Sequence, residues 1–484
     1  MKTLRTLLLI AAPLTAIAED SLPDPVAVLK AMKKATAFCT SKLAVQGGYA
    51  SAWPRDLAHG ITEHSQSSTV ISIQPPGTTT IGLAMVKAWQ ASGDSQFLEA
   101  AKAAGKALIS CQLASGGWTD DFDFAPEKAA RHWLHQAQLA GDRDAGKRQN
   151  TSTLDDNKTQ SALLFLLELA HLPECKDDAV LQEALKFGLN SLIAAQYPNG
   201  AWPQQFSGPA DPSTPVKPAR YPSDWSRQWP KEKYTTHYTL NDGNHQRAVE
   251  LLLRAHELTG DERYLASAKK GGDFLILAQM PEPQPVWAQQ YNSEMEPVWA
   301  RKFEPPCVTA GESLGAMETL HLLHVVTGDE KYLKPLSAAV AWYERSSLPG
   351  GLYARFYELR TNRPLYFVKD SYELTYADDN LPTHYGFKLD HISRDLAKFK
   401  EQLLQPQEKL LQKRSAPSSE KSWTSQAKSV ASKVNSALKS QTPEGIWMEG
   451  DEIDASLITK QLIALSRYLE GVRRGGEAFA KLRQ

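Results

Sequence analysis

The sequence predicts an all-α fold in which helical hairpins stack on one another. Three observations predict this class. Amphipathic helical patterns recur along the 484 residues, near copies of one polar turn join three pairs of helices, and a glycine–aromatic motif closes each helical unit. Because a single hairpin cannot bury its apolar face alone, the hairpins must pack side by side. Stacking in a ring gives an α/α toroid, whereas stacking in a line gives a solenoid.

The polar turns between paired helices carry stop and start signals. They read Ser-Gly-Asp at 92–94, Thr-Gly-Asp at 259–261 and Thr-Gly-Asp at 327–329. In each turn we expect the glycine to end one helix and the aspartate to begin the next. An aromatic residue and a leucine then return the chain to the core. A fourth hairpin, at 159–196, has a different turn.

Glycine–aromatic motifs close helical units at five places. They are Gln46–Tyr49, Ser115–Trp118, Asn199–Trp202, Pro349–Tyr353 and Glu444–Trp447. In a stack of hairpins, the long loops that follow these motifs gather on one face, where we expect a functional site. The final helix, at 455–474, is expected to close a ring.

Composition and the N-terminal segment narrow the functional class. The net charge is -1, so no global basic surface is available for nucleic acid. Residues 1–18 have two basic residues, an apolar run and a small-x-small end, as in a signal peptide. No later run of 18 apolar residues exists, so no membrane span is expected. We therefore expect a secreted or periplasmic monomer, with residues 19–484 forming a single domain.

The cysteines and two irregular segments leave alternatives open. Four cysteines occur without metal-binding spacing, and either a Cys39–Cys111 disulfide or buried free thiols would fit. Residues 206–234 are rich in proline, aromatic and charged residues, and loops of such length are usually functional. Residues 413–421 have the composition of a flexible link.

Acidic residues stand at the start of two predicted helices. One segment contains Asp155, Asp156 and Asn157, and the other contains Asn241 and Asp242. Helix capping explains each segment when it is taken alone. If a stack of hairpins aims both segments at one face, however, their oxygens would suit a hard cation such as Ca²⁺.

Two further segments combine cations with aromatic rings. Residues 296–315 include Trp299, Arg301 and Lys302, followed by Glu304 and Glu312, and residues 349–370 include Arg355, Arg360, Arg363 and Lys369. Aromatic rings can stack on sugars, and cations can bind sugar carboxylates, so these segments suit an acidic polysaccharide. Scattered surface charge is the alternative reading.

Several of these segments, in this order, resemble the motifs of family 10 polysaccharide lyases, which are pectate lyases. The similar segments are 151–166, 197–206, 239–253, 298–315 and 350–367, and the resemblance extends over 151–387. It implies an incomplete α/α toroid of helical hairpins with long irregular loops on one face. It also implies Ca²⁺-assisted β-elimination on polygalacturonate, in which positive charge stabilises the enolate-like intermediate.

The resemblance also assigns roles to individual residues. Asp155 and Asp242 match the family's acidic residues near metal and substrate, and Asp156 lies beside them, so these three are the predicted metal ligands. The predicted substrate contacts are Asn241, Trp299, Glu312 and Tyr385.

The catalytic base of the family is an arginine, and this sequence departs from the pattern there. In the corresponding segment, 380–387, the two arginine positions are Leu381 and Pro382, and neither can take a proton. The candidate replacements are His384, Lys369, Arg355 and Arg301. Two alternative functions remain: a toroid that binds pectic fragments without cleaving them, or a glycoside hydrolase that uses two carboxylates from among Asp155, Asp242, Glu304 and Glu312.

Overall fold

A computed structural model of the protein describes residues 22–481, and α-helices dominate this range. The helices are α1 (Pro25–Phe38), α2 (Thr78–Ser92), α3 (Ser95–Ser110), α4 (Pro126–Ala129), α5 (His135–Leu139), α6 (Lys158–Ala170), α7 (Ala179–Ala194), α8 (Asn244–Thr259), α9 (Glu262–Ala278), α10 (Ala310–Thr327), α11 (Leu336–Ser346), α12 (Ile392–Leu403), α13 (Gln407–Arg414), α14 (Glu420–Ser440) and α15 (Ala455–Ala480).

Short strands connect the helices and form only small antiparallel sheets. The strands are β1 (Ala52–Pro54), β2 (Gly60–Ile61), β3 (Gln66–Ser67), β4 (Val70–Ser72), β5 (Asp121–Asp123), β6 (Ser152–Thr153), β7 (Gln205–Phe206), β8 (Tyr238–Thr239), β9 (Gln290–Tyr291), β10 (Cys307–Thr309), β11 (Tyr353–Ala354), β12 (Phe356–Glu358), β13 (Pro364–Phe367), β14 (Leu374–Thr375), β15 (Lys388–Leu389) and β16 (Glu452–Asp454).

The three polar turns have the predicted geometry. A left-handed glycine ends α2, α8 and α10, with φ of 71°, 70° and 74°. The aspartate that follows accepts a hydrogen bond from the backbone N–H two residues later in each turn. Since glycine adopts this conformation without steric cost, the repeated motif produces the same sharp reversal three times.

Buried glutamine amides set the order of the outer helices. The Gln196 side chain, just after α7, donates to the carbonyl oxygens of Gly200 (2.9 Å) and Ser267 in α9 (3.1 Å), and it accepts from the Ser267 hydroxyl (2.8 Å). Gln112, Gln279 and Gln441 make the equivalent bridges to Ala184, Pro335 and Ala31. Together with a bond from Gln96 in α3 to Lys33 in α1, these bridges arrange the outer helices as α14, α1, α3, α7, α9 and α11.

A second layer of helices lies inside this outer layer. Successive contacts give the order α15, α2, α6, α8, α10 and α12. An ionic chain links three of them, because Glu168 of α6 lies 3.1 Å from the Lys87 ammonium of α2 and 2.6 Å from the Arg254 guanidinium of α8. The predicted all-α, incomplete α/α toroid is thus confirmed. The final helix begins at Ala455 as predicted, packs on α2 and α14, and continues to Ala480; that it closes a ring stays a prediction.

The irregular segments collect where the inner helices begin. Strands β6 and β8 lead through single 3₁₀ turns into α6 and α8, while β10 and β16 lead directly into α10 and α15. Strand β6 pairs with β7, and β8 pairs with β9. The long loops between these paired strands therefore share one face with the N-termini of the inner helices.

Some predictions about segments are corrected or fall outside this range. The predicted flexible link at 413–421 is shorter, because α13 continues to Arg414 and α14 begins at Glu420. All four cysteines are buried free thiols, so the Cys39–Cys111 disulfide is wrong. The predicted signal peptide, residues 1–18, lies outside the described residues. Within those residues, no helix combines the length and hydrophobicity of a membrane span.

The glutamine bridges can be tested by removing one of them. Gln196→Met keeps the side-chain volume but leaves the Gly200 and Ser267 carbonyl oxygens without the amide donor. We expect a loss of about 2 kcal/mol in the free energy of unfolding, because buried polar groups left without partners are costly. Guanidinium denaturation measures this loss, and Gln402→Met on the exposed face of α12 is the control. Equal stability of the two variants would contradict the proposed importance of the bridge.

Candidate functional site

Two inner helices begin with the same unusual backbone. The 3₁₀ turns Asp155–Asn157 and Asn241–Gly243 each contain an aspartate in the left-handed region, Asp156 with φ 47° and Asp242 with φ 51°. A second left-handed residue follows each of them, so the chain bends sharply before the helix. Non-glycine residues rarely adopt this conformation, and it is concentrated at functional sites.

This bend turns the aspartate side chains away from the helix ends. Neither α6 nor α8 has a side-chain hydrogen bond at its N-cap position. The Asp242 carboxylate instead accepts from the Asn241 side-chain amide at 2.7 Å. The reading of these residues as helix caps is therefore wrong.

The two bends bring three carboxylates together. One oxygen each of Asp155, Asp156 and Asp242 lies within 4.8 Å of the others. Partial burial, together with the neighbouring Asp156 and Asp155 carboxylates, raises the pKa of Asp242 to about 7. Burial and the Asp155 charge also raise the pKa of Asp156. The predicted metal ligands therefore meet in space, although they come from helices that begin 86 residues apart.

The oxygen donors in this carboxylate cluster fit a hard cation. The Oδ1 atom of Asp155 is buried and has no hydrogen-bond partner among the described residues. Carboxylate oxygens are the ligands that Ca²⁺ prefers, and a cation would relieve the repulsion among the three charges. The residues present therefore agree with the ion that the sequence resemblance implies, and Asp155, Asp156 and Asp242 are the groups that would hold it.

A buried lysine, which the sequence analysis missed, borders the cluster. The side chain of Lys158 is only 3% exposed, and its ammonium lies 2.6 Å from Asp120, 3.6 Å from Asp156 and 3.9 Å from Asp155. Burial opposes its charge, but Asp120 and the other carboxylates raise the pKa of Lys158. Asp120 also lies 3.7 Å from His64, so a segment before residue 151 lines the site. The sequence could have indicated it, because Lys158 is the only basic residue of α6 and directly follows the acidic segment.

Glu304 anchors the cationic side of the site. Glu304 is 1% exposed. Its carboxylate accepts hydrogen bonds from the Arg301 Nε (2.8 Å), the Arg301 backbone N–H (3.0 Å) and the Gln289 amide (2.6 Å). The Arg301 guanidinium consequently lies 3.7 Å from Asp242. With its oxygens engaged in this way, Glu304 is not available as a hydrolytic acid or base, which removes it from the set considered for a hydrolase.

A second guanidinium lies against the segment that departs from the family pattern. The Arg355 Nε donates to the Gly386 carbonyl oxygen at 2.7 Å, and its Cζ lies 4.3 Å from the centroid of the Tyr385 ring. Arg355 also lies 3.7 Å from Glu312, whose other carboxylate oxygen is buried without a partner among the described residues. The Tyr385 hydroxyl donates to Glu304 at 3.3 Å, so Tyr385 joins the two arginines.

The remaining predicted site residues differ in accessibility. Trp299 is 8% exposed and donates to the Ser226 carbonyl oxygen, which leaves little ring surface for a sugar. Asn241 is 2% exposed, and its side-chain amide donates to Asp242. His384 is exposed, and its Nδ1 lies 3.2 Å from the Tyr372 hydroxyl. Lys369 is also exposed, and its backbone N–H donates to Asn380.

The central part of the chain is similar in sequence to a known family. The family model described as pectic acid lyase matches residues 123–351, which confirms the resemblance predicted from the motifs. The segment 380–387, which lacks the expected arginine, lies beyond the matched residues. No curated protein sequence matches the chain at a significant level.

Solved structures with related architecture include lyases and a mannanase. A family 10 polysaccharide lyase from Cellvibrio cellulosa is 20% identical, with 62% of this chain and 90% of that chain covered and a TM-score of 0.45. A mutant of that lyase in complex with trigalacturonic acid has the same identity and TM-score, with 62% and 92% covered. An α-1,6-mannanase variant from Salegentibacter sp. HEL1_6 is 12% identical, with 93% and 100% covered and a TM-score of 0.40.

The anchoring role of Glu304 predicts a large loss of stability on truncation. Glu304→Ala leaves the Arg301 guanidinium and the Gln289 amide without their buried acceptor. We expect a loss of about 3 kcal/mol in the free energy of unfolding, because a partly buried charge loses its partner. Chemical denaturation measures the effect, and Glu449→Ala in a surface turn is the control. A Glu304→Ala protein as stable as the control would overturn this structural role.

Proposed function

Because residues 123–351 match the pectic acid lyase family, we propose that this protein is a secreted lyase that cleaves polygalacturonate by Ca²⁺-assisted β-elimination. One observation carries the proposal. Three carboxylates from two bent helix starts lie together, and the guanidinium of Arg301 lies 3.7 Å from one of them, Asp242. This arrangement suits an anionic sugar that reaches the protein together with a divalent cation.

The chemical problem in such a reaction is the acidity of the C5 proton. That proton lies next to a carboxylate, whose negative charge opposes formation of the enolate-like intermediate. When bound, Ca²⁺ would neutralise the carboxylate and so favour loss of the proton. Arg301 and Arg355 add fixed positive charge, and guanidinium groups bind carboxylates in a defined orientation. Glu304 and Glu312 hold these two arginines in place.

Among the four candidate bases, we propose His384. Arg301 is occupied by Glu304, and an arginine side chain releases its proton only at very high pH. Lys369 is exposed, and no contact joins it to the carboxylate cluster in the described residues. His384 packs against Phe303 at 4.8 Å, and Phe303 packs against Tyr385 at 5.0 Å. These two rings also contact the guanidinium groups of Arg301 and Arg355, so His384 belongs to the same aromatic cluster as both arginines. Imidazole is the commonest general base near neutral pH.

A second candidate is a protein that binds pectic fragments without cleaving them. The observation that favours it is the replacement of both expected arginines by Leu381 and Pro382. A binding protein needs the cation site and the arginines, but it needs no base. The two functions therefore predict the same affinity for polygalacturonate and differ only in product.

Incubation with polygalacturonate distinguishes these functions. We expect the ultraviolet absorbance of an unsaturated product to rise when Ca²⁺ is present and to stop when a chelator is added. Tight binding without product would support the binding protein. New reducing ends without unsaturated product, unaffected by the chelator, would indicate a hydrolase.

Loss of one carboxylate from the cluster should slow the reaction strongly. Asp242→Asn preserves the size of the side chain but removes a charge from the predicted cation site. We expect a fall of about 100-fold or more in kcat/KM at limiting Ca²⁺, since electrostatic groups at such centres contribute effects of this size. The matched control is Asp451→Asn, because the Asp451 side chain is 87% exposed. A normal rate in Asp242→Asn would show that Asp242 takes no part.

The identity of the base can be tested separately from binding. His384→Gln should lower kcat by about 100-fold or more, as expected for loss of a general base, while affinity for oligogalacturonate changes little. His391→Gln, in an exposed position at the start of α12, is the control. If His384→Gln keeps full activity and Arg355→Gln loses it without weaker binding, the base is Arg355 and the assignment to His384 is wrong.

A further inference from the structure

The loop between β7 and β8, residues 207–237, is held in place along its length. We call it the strap. The Ala219 N–H donates to Leu277 at 2.7 Å, and the Arg220 N–H donates to Met295 at 3.0 Å. Further along, the Trp229 indole donates to the Ala300 carbonyl oxygen at 2.8 Å. The strap contains no helix or regular strand, but these bonds make it a defined wall rather than a loose connection.

An ion pair fixes the part of the strap next to Trp229. The Arg227 guanidinium contacts Glu358, a buried residue of β12. The same carboxylate accepts from the Tyr376 hydroxyl at 2.7 Å and from the Thr361 hydroxyl. The strap and the segment 370–376 are therefore held at a fixed separation by a shared buried carboxylate.

A groove of about 720 Å³ lies between this part of the strap and the segment 370–376. Its volume lies within the usual range of about 300–1,000 Å³ for small-molecule sites. Three aromatic side chains line it, from Trp229, Tyr372 and Tyr376. The bond to Ala300 fixes the orientation of the Trp229 indole. Fixed aromatic rings in a groove open to solvent are typical of surfaces that bind sugar rings.

The groove shares a wall with the carboxylate cluster. Lys302, which lines the groove, directly follows Arg301, whose guanidinium lies 3.7 Å from Asp242. The Lys302 ammonium lies 3.8 Å from the centroid of the Tyr372 ring, and the Tyr372 hydroxyl contacts His384. A polymer bound at the cluster can therefore continue into the groove past this wall.

The charges of the groove indicate how it would hold a ligand. The charge of Arg227 is matched by Glu358, while Lys231 and Lys302 carry ammonium groups that have no carboxylate within 4 Å among the described residues. Asp370 and Glu373 also line the groove. Because its lining holds two free cations and two acids, the groove has no strong net charge. Affinity would come from ring stacking and from single ammonium–carboxylate contacts on the wall formed by Lys302.

From these contacts we propose that the groove is a distal subsite that binds further uronate residues of the chain held at the carboxylate cluster. Trp229 and Tyr372 provide the ring surfaces, and Lys302 binds a sugar carboxylate. This inference rests on the proposed function, because the same polysaccharide must reach both places. It adds a consequence: the protein favours long, unesterified chains over short ones.

Comparison of short and long galacturonate oligomers tests the subsite. Affinity for a trimer and for an oligomer of eight or more units is measured by calorimetry with Ca²⁺ present, in the full chain and in the variants Trp229→Ala and Lys302→Gln. We expect the unmodified protein to bind the long oligomer at least about tenfold more tightly, since one stacked or ion-paired contact has that order of effect. Each variant should lose most of this preference while its affinity for the trimer is unchanged.

The controls separate folding, the subsite and the function itself. Lys433→Gln, on the exposed face of α14, should keep the preference for long oligomers. Thermal denaturation reports whether Trp229→Ala is folded, and Lys302→Gln changes only an exposed side chain, so at least one variant gives a clear answer. Equal affinity of the unmodified protein for both lengths, or a full preference in Lys302→Gln and folded Trp229→Ala, would overturn the subsite alone. Failure to bind either oligomer would overturn the proposed function and the subsite together.

Discussion

The buried amide of Gln196 and its three counterparts determine how the rest of this protein is arranged. Each amide joins the end of one outer helix to its own loop and to the next outer helix, so the spacing and direction of successive hairpins are tied together. A tryptophan six or eight residues beyond each glutamine donates its indole N–H to the preceding helix and completes the corner. A buried polar group that loses its partner lowers the stability of the fold, so these hydrogen bonds favour this arrangement of helices over others.

The position of the site follows from this constraint. With hairpins locked in one direction, the inner helices α6, α8 and α10 begin on the same face, and the loops that precede them are close in space. The positive end of each helix dipole also lies there, which favours negative charge. The carboxylate cluster therefore occupies a region where its own repulsion is partly offset by backbone, by Lys158 and by Arg301.

The two sides of the site differ in how their charge is balanced. On one side Lys158 is enclosed by Asp120, Asp155 and Asp156, so carboxylates outnumber the cation. On the other side Arg301 and Arg355 are held by Glu304 and Glu312 near Tyr385. An anionic sugar with a divalent cation would complement both sides at once, whereas a neutral sugar would leave the carboxylates repelling one another.

The sequence by itself determined the helical class, the three polar turns and the residues from which the carboxylates come. These features depend on local rules, because glycine ends a helix and aspartate begins the next wherever the motif occurs. It did not reveal that Asp156 and Asp242 adopt left-handed conformations, since an acidic residue before a helix reads as a cap. The role of Lys158 was also hidden, and the composition of residues 206–234 indicated a functional loop but not its contacts, because both depend on partners distant in the chain. Only the tertiary structure decided which charges face one another, since the ring of hairpins brings distant segments together and local sequence cannot specify such contacts.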